Sequence, residues 1–378
     1  MRLDAFTERV MRKNKNNKSK LPLTISAQYG LVDQITFFNK VIASTDMSNY
    51  YLLKKGEFAY NKSYSSDYPW GAIKRLDNYE RGALSSLYIC FAPQDNVVSD
   101  FILQYFESPK WHKGVSEIAV EGARNHGLLN VSVQDFFHTY HYVPKDKKEQ
   151  IKIAKLLMLL DERIATQSKI IDKLQSLIKG INQRVFKNSG NNYKLGEICE
   201  IRSGYSGSQL LSKKGLKVSR IETISGHKVN MERVGYVAPF ESSENYRLRV
   251  GDILFSNINS VEYIGNTAFI DKDYDLYHGM NLLRLTPNHM VVIPFYLYLL
   301  LNTNRMLNRF KAVCNKAVSQ ASINQTELGK TVVQIPPIKT QEQICELYQA
   351  LYTKLETESH TKSLFQNQKQ YLLRQMFI

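Results

Sequence analysis

The sequence predicts an α+β protein with two tandem globular domains of mixed β-sheet and helices. Two long helices separate them, forming an antiparallel coiled coil with pseudo-two-fold symmetry. Three observations carry this. An internal repeat covers the whole chain, a heptad-like apolar seam runs through residues 153–185, and 378 residues exceed a typical single core. The charge surplus, 50 Lys+Arg against 35 Asp+Glu for a net +15, suggests a polyanionic partner, nucleic acid first and an acidic membrane second. At 43% hydrophobic and 22% charged, collagen-like, disordered and small disulfide-rich classes are excluded.

The repeat is read from ordered matches. Pro144, Glu149, Gln150 and Ile151 match Pro337, Glu342, Gln343 and Ile344 at a shift of 193 (337 − 144). Gly56-Glu57-Phe58-Ala59-Tyr60 parallels Gly251-Asp252-Ile253-Leu254-Phe255 at 195, and Gly71 pairs with Gly265 at 194. Leu3 to Glu8 echoes Leu195 to Glu200 at 192. The expected division is a first globular domain over 1–143, a helical spacer over 144–190, a second globular domain over 191–335 and a second spacer over 336–378.

Within each globular part, Ile253-Leu254-Phe255 and Thr267-Ala268-Phe269-Ile270 read as strands. Asp100–Glu107 and Phe295–Leu301 read as helices, and Val131–Val143 reads as extended. The first long helix opens on Asp146-Lys147-Lys148-Glu149, acidic residues where the macrodipole favours them. Its seam is Ile153, Leu157, Leu160, Ile164, Gln167, Ile171, Leu174, Ile178, Ile181 and Val185, at alternating spacings of four and three. Asn188 to Asn192 is the expected break and link. The second helix offers Ile344, Leu347, Leu351 and Leu355, then Leu364, Phe365, Leu372 and Met376, with polar Glu358 and Lys362 between.

Catalytic signatures are missing. There is no GxxxxGK[ST], no GxGxxG after a strand and no GxSxG. Asp67-Tyr68-Pro69-Trp70 has one proline and the wrong order for a base-flipping methyltransferase motif, and reads as a turn. His138 and His141 lie three apart on an expected strand, so they face opposite sides and share no metal. Cys90, Cys199, Cys314 and Cys345 form no CxxC pair, and reduced thiols of a cytoplasmic chain are expected. The longest uncharged apolar run, 290–301, is too short to span a membrane, and Met1 to Phe6 opens no signal-peptide core. No catalytic residue, metal or cofactor is expected in this chain.

The nucleic-acid candidates are basic, amide and aromatic side chains on loops. Arg12, Lys13 and Lys15 lie in the basic 9–20 stretch. Asn61, Lys62 and Tyr64 follow the Gly56 strand, and Ser256, Asn257 and Asn259 follow the matching Gly251 strand. Arg124 and Lys316 complete the set. Asn binds adenine bidentately, Arg and Lys favour guanine, and Ser reads either. The bland alternative for each is a polar loop that touches only water. Two unlike readers on rigid helices would read two unlike half-sites with a spacer between them.

Taken in order, these strings resemble the DNA-specificity (S) subunit of bacterial type I restriction–modification systems. The carriers are Lys194 to Ile198, Gly251 to Ser256 and Pro337…Glu342-Gln343-Ile344, with their first-half counterparts. Gln183-Arg184-Val185-Phe186 and Gln375-Met376-Phe377 also fit. The resemblance implies two target-recognition domains and two helical spacers, in a chain without catalytic activity of its own. The implied partners are double-stranded DNA, two modification subunits that carry S-adenosylmethionine and methylate adenine, and restriction subunits that use ATP and Mg. Members often begin with a short leader; here the first unit starts almost at Met1. The apolar residues outside the seam, Ile151, Leu156, Leu159, Ile170 and Leu177, are then candidates for the modification-subunit interface. The alternative for these five is packing on the chain's own domains. For the whole chain the alternatives are a non-enzymatic coiled-coil scaffold, a general nucleic-acid-binding protein, or a self-contained enzyme.

Overall fold

The computed structural model describes residues 1–40, 43–119, 128–186, 190–316 and 320–377. The chain forms two compact units, residues 1–169 with 358–378 and residues 170–357. The cuts fall inside the two long helices, Lys147–Val185 and Ile338–Gln375, so each unit owns one half of each helix.

The first unit is built on a four-stranded antiparallel sheet in the order Thr7–Arg9, Ile89–Pro93, Phe58–Asn61, Ala72–Arg75. Side chains alternate across it, as a strand's period of two requires. Phe58, Tyr60, Ile89 and Phe91 face one core, with Leu3, Phe101, Trp111, Leu157 and Leu373. Ala59 and Cys90 face a second, with Val10, Leu23 and Leu84. The second core lies against another sheet, ordered Gly30–Asp33, Pro22–Ser26, Arg81–Leu84, Tyr51–Lys54.

The second unit repeats the first sheet: Cys199–Ser203, Leu282–Pro287, Ile253–Ser256, Thr267–Phe269, all antiparallel. The register repeats as well. Thr7 faces Pro93 and Cys199 faces Pro287; Phe58 faces Arg75 and Ile253 faces Phe269. The large core again takes alternate residues, here Ile253, Phe255, Leu283 and Leu285. What is appended differs. In place of the second sheet of unit one stand small sheets: Leu216–Val218 with Gly235–Val237, and Ile258–Asn259 with Ala321–Ser322 and Asn315–Lys316.

All ten predicted seam positions of the first long helix are buried or half-buried, with Leu157 fully inside. The helices run antiparallel: in the first unit Asp161 meets Lys369 at 2.6 Å, and six residues on (167 − 161) Gln167 donates to the Glu358 carbonyl at 3.2 Å. In the second unit the Tyr348 hydroxyl donates to Asn182.

The second seam differs from the sequence reading. Leu347 and Leu364 are exposed, while Cys345, Tyr348 and Leu373 are buried and Glu358 and Lys362 hold half-buried seam positions. In the helices the repeat shift is 191 (338 − 147), against 193 for the Pro…Glu-Gln-Ile match, so Tyr348, not Leu347, is the equivalent of the seam residue Leu157. Gln150 and Gln341, not Gln343, do the same work. Each is buried and accepts from the backbone N–H just ahead of the short helix below it, Val98 at 2.7 Å and Ile293 at 2.8 Å. Each donates back to a proline carbonyl, Pro144 or Pro336, at 2.8 Å.

Residues 133–138, read as extended, are a helix; the Ser132 hydroxyl caps it by accepting from Asp135 N–H at 3.0 Å. Of the expected link, Asn188 and Ser189 lie outside the described residues, and Asn191–Lys194 is a strand paired with Val332–Ile335.

Candidate nucleic-acid interface

The two Gly-led strands end in loops that the fold positions identically. After Phe58–Asn61 the chain is held by Leu129 N–H donating to the Lys62 carbonyl at 2.9 Å. After Ile253–Ser256 it is held by Ile323 N–H donating to the Asn257 carbonyl at 2.9 Å. Lys62 and Asn257 correspond at the strand shift of 195 (257 − 62). Gly71 and Gly265 turn behind these loops with φ of 78° and 83°. A Cβ on Gly71 would meet the Asn61 carbonyl oxygen at 2.1 Å, so only glycine fits.

In the first loop, the Asn61 side chain accepts from Ser63 N–H at 3.0 Å, Lys62 Nζ reaches the Val131 carbonyl at 3.4 Å, and Tyr64 stands half-exposed. In the second, Ser256 is fully buried and its Oγ accepts from Asn259 Nδ2 at 3.0 Å; it supports the loop from beneath. Asn257 Oδ1 is buried without a partner. Asn259 and Lys316, far apart in sequence, both lie opposite Ala321 in the three-stranded sheet, one on each side of it. Tyr263, half-exposed in the same loop, escaped the sequence reading; its signal was its place just after the Asn-rich strand. Arg124 lies outside the described residues.

The basic 9–20 stretch is sorted by its asparagines. Asn14 is fully buried: it donates to the Ser19 carbonyl at 2.9 Å and the Met47 carbonyl at 3.3 Å, and accepts from Ser19 N–H at 2.8 Å. Asn16 and Asn17 take left-handed backbone, φ 57° and 49°, which asparagine tolerates. That framework leaves Lys15, Lys18 and Lys20 exposed. Arg12 is ion-paired to Glu57 at 2.5 Å, and Lys13 caps the Asn49 carbonyl at 2.8 Å while lying over the Tyr51 ring.

All four cysteines are free and buried. Burial pushes the Cys90 and Cys199 thiols up to about 12, far from a thiolate nucleophile. His141 is buried between the Tyr105 hydroxyl (3.0 Å) and the Thr139 hydroxyl (2.7 Å), and burial lowers it to about 4; His138 is on the surface beside Asp4. Among the described residues no group of three or more His, Cys, Asp or Glu is placed to hold a metal, and no helix is long and apolar enough to cross a membrane.

Residues 189–364 match the family model of the type I restriction modification DNA specificity domain. The second half of this chain is thus similar to a type I specificity domain. The putative type I restriction enzyme MjaX specificity subunit of Methanocaldococcus jannaschii is 38% identical over 188 residues, 49% of this chain and 44% of that protein. The type I restriction enzyme EcoKI specificity subunit of Escherichia coli is 23% identical over 291 residues, 70% of this chain and 61% of that protein. The matches thus span less than two thirds of either relative. The crystal structure of a type I restriction–modification S subunit from M. genitalium has a TM-score of 0.58 at 15% identity, covering 100% of this chain and 95% of that one. A chain from a type I R-M structure describing complex assembly and conformational transition gives 0.61 at 16%, covering 99% and 95%. The specificity-subunit fold therefore extends over both units.

The five interface candidates sort by exposure. Ile151, Leu156, Leu159 and Leu177 are exposed at 44–51%, and Ile170 is half-buried. The helix shift of 191 adds one that sequence reading placed in the seam: Leu347 corresponds to Leu156 (347 − 156) and is exposed at 41%.

Proposed function

We propose that this chain is a sequence-specific DNA recognition subunit. It directs a type I methyltransferase/restriction complex to a bipartite, asymmetric site, each globular domain reading one half-site in the major groove. The observation that carries the proposal is one sheet built twice in one register, ending in two loops at equivalent places with different residues. Asn61, Lys62 and Tyr64 occupy one loop and Asn257, Asn259 and Lys316 the other, so one chain presents two unlike readers. The exposed lysines 15, 18 and 20 suit phosphates, which position a protein without specifying sequence.

In this reading the chain supplies the address and no chemistry. S-adenosylmethionine and methyl transfer belong to two modification subunits, ATP and Mg to restriction subunits. Leu156 and Leu347, equivalent in the repeat and both exposed, support one modification-subunit contact on each half of the helix pair.

Methylation mapping tests the reading. The chain is co-expressed with its modification subunit in a methylation-free host and every modified adenine is sequenced. A split motif with two short specific halves and a fixed gap is expected. One uninterrupted motif means a single unit reads DNA, and no methylation from an assembled complex favours the scaffold.

A further inference from the structure

The second core of each unit meets the same sheet position with opposite chemistry. In unit one the position is Cys90, packed between Val10 and Ala59. In unit two it is Arg284 (284 − 90 = 194, the shift of that strand), set between Arg202 and Leu254 on the flanking strands. Arg284 is 8% exposed. Its Nη1 and Nη2 donate to the carbonyls of Arg247 (3.1 Å) and Asn245 (3.2 Å), and its buried Nε has no partner. Among the described residues no carboxylate lies within ion-pair distance of it. The facing Arg202 is turned to Glu200 at 2.5 Å. Like charges directly across a sheet repel, and a buried cation without a counter-charge is costly. Both groups line an open cavity of about 440 Å³ whose wall also holds Ser203, Asn245, His278 and Gln325, and no acidic residue.

We infer that this cavity is an anion site that takes a phosphate group, with Arg284 as its charged floor and Arg202 at its rim. The missing counter-charge is what a phosphate oxygen supplies, and the Nη hydrogens not spent on the Arg247 and Asn245 carbonyls are donors for it. His278 is held neutral by burial, its Nε2–H donating to the Leu282 carbonyl at 3.0 Å, so the charge of the cavity comes from the two arginines. In unit one the equivalent place holds Cys90, which brings no charge. The phosphate is either a backbone phosphodiester of DNA, which rests on the proposed function, or a free anion.

Two measurements on the full-length chain separate these sources. Thermal unfolding is followed with inorganic phosphate against chloride at matched ionic strength, for the native chain, Arg284→Gln and Arg202→Gln. Affinity for a random-sequence duplex is followed against salt for the same three. Phosphate is expected to raise the unfolding temperature of the native chain and to raise that of Arg284→Gln less. A DNA phosphate in the site also makes the slope of log K on log salt shallower by about 0.9 in Arg284→Gln. An unchanged slope with the phosphate shift retained in the native chain assigns the site to a free anion. Arg202→Gln is a surface change and guards against misfolding of the buried variant; it is expected to weaken both responses. Equal phosphate shifts and equal slopes in all three chains overturn the inference, while duplex binding by the native chain leaves the proposed function standing. If the native chain binds no duplex, the proposed function fails and the phosphate shift still decides the site.

Discussion

Leu156 and Leu157 are neighbours on one helix with opposite environments, and substituting each separates the two roles of that helix. Leu157 is fully buried among Phe101, Ala154 and Leu373, whereas Leu156 is exposed at 44%. Leu157→Ala empties a packed site, at a cost of ~2–5 kcal/mol. For a unit of this size that is a fall of about 4–20 °C in unfolding temperature. Leu156→Glu, and Leu347→Glu at the equivalent place, should stay within ~0.5 kcal/mol of the native chain. Each of these leucines has roughly half its area left to bury. A full leucine is worth ~1.5–3 kcal/mol, so the remainder is ~0.7–1.5 kcal/mol. That converts to about 3- to 12-fold in affinity for a modification subunit, a floor, because Glu also carries a charge into the contact. Circular dichroism melts give the first quantity, and titration with the modification subunit followed by native mass spectrometry gives the second. Each single Glu variant should weaken one of two binding steps and the double variant both. If Leu156→Glu melts as early as Leu157→Ala, the residue packs on its own chain and the interface assignment is refuted. If both single variants keep two tight steps, the partner sits elsewhere.

Two further outcomes follow from the geometry. Gly71→Ala must bring its Cβ to 2.1 Å from the Asn61 carbonyl at φ 78°, while Gly56→Ala at φ 87° meets nothing within 4 Å. Gly56→Ala should cost ~1–2 kcal/mol, the left-handed strain alone, and Gly71→Ala clearly more in urea unfolding; equal costs would mean the loop shifts freely. Burial lowers His141 to about 4 from 6.5, with the N-terminal amino charge adding to it, and lowers His278 likewise. Between those values the unfolded chain holds protons that the folded chain does not, so stability falls as pH drops from 6.5 towards 4. The slope is up to ~1.4 kcal/mol per pH unit per histidine. The difference between the native chain and His141→Gln in urea melts at pH 7, 6 and 5 isolates one of them; parallel curves would refute the burial argument.

The first seam was legible because heptad spacing and burial are one fact seen twice: a residue every 3.5 positions faces the partner helix. The second was misread because its stripe was taken from apolar letters alone: Leu347 and Leu364 lie on the exposed side, while polar Glu358 and Lys362 hold half-buried seam positions. Which glutamine reaches back to a proline carbonyl depends on where the helix starts, and Gln341 does so. The loop candidates show a different limit. Asn and Ser read bases, but they also cap helices and hold turns. Asn14 spends its amide on Ser19 and Met47, and Ser256 lies beneath Asn259, so neither faces outward. Residue type and spacing place a loop without telling which of its side chains hold it together. The helix at 133–138 was hidden for a related reason: its aromatic run suits a strand, and only the Ser132 cap decides otherwise.

The two faces of the repeated sheet divide its work between a shared scaffold and the elements that differ between the units. The face holding Phe58, Tyr60 and Phe91 packs with the short helices and with residues of both long helices, and Ile253, Phe255 and Leu285 do the same in the second unit. That face is alike in both units because it has one task, to fix the sheet to the helix pair. The opposite face diverges. In unit one Ala59 and Cys90 meet a second sheet; in unit two Leu254 joins a separate small core with Ile224 and Leu276, beside Arg284. Alternation along a strand keeps these faces independent, so a substitution at 59, 90, 254 or 284 leaves the helix-facing residues where they are. Elements built on the outer face can therefore change with little strain on the scaffold. The replacement of Cys90 by an arginine at the same sheet position is the most direct instance of that freedom.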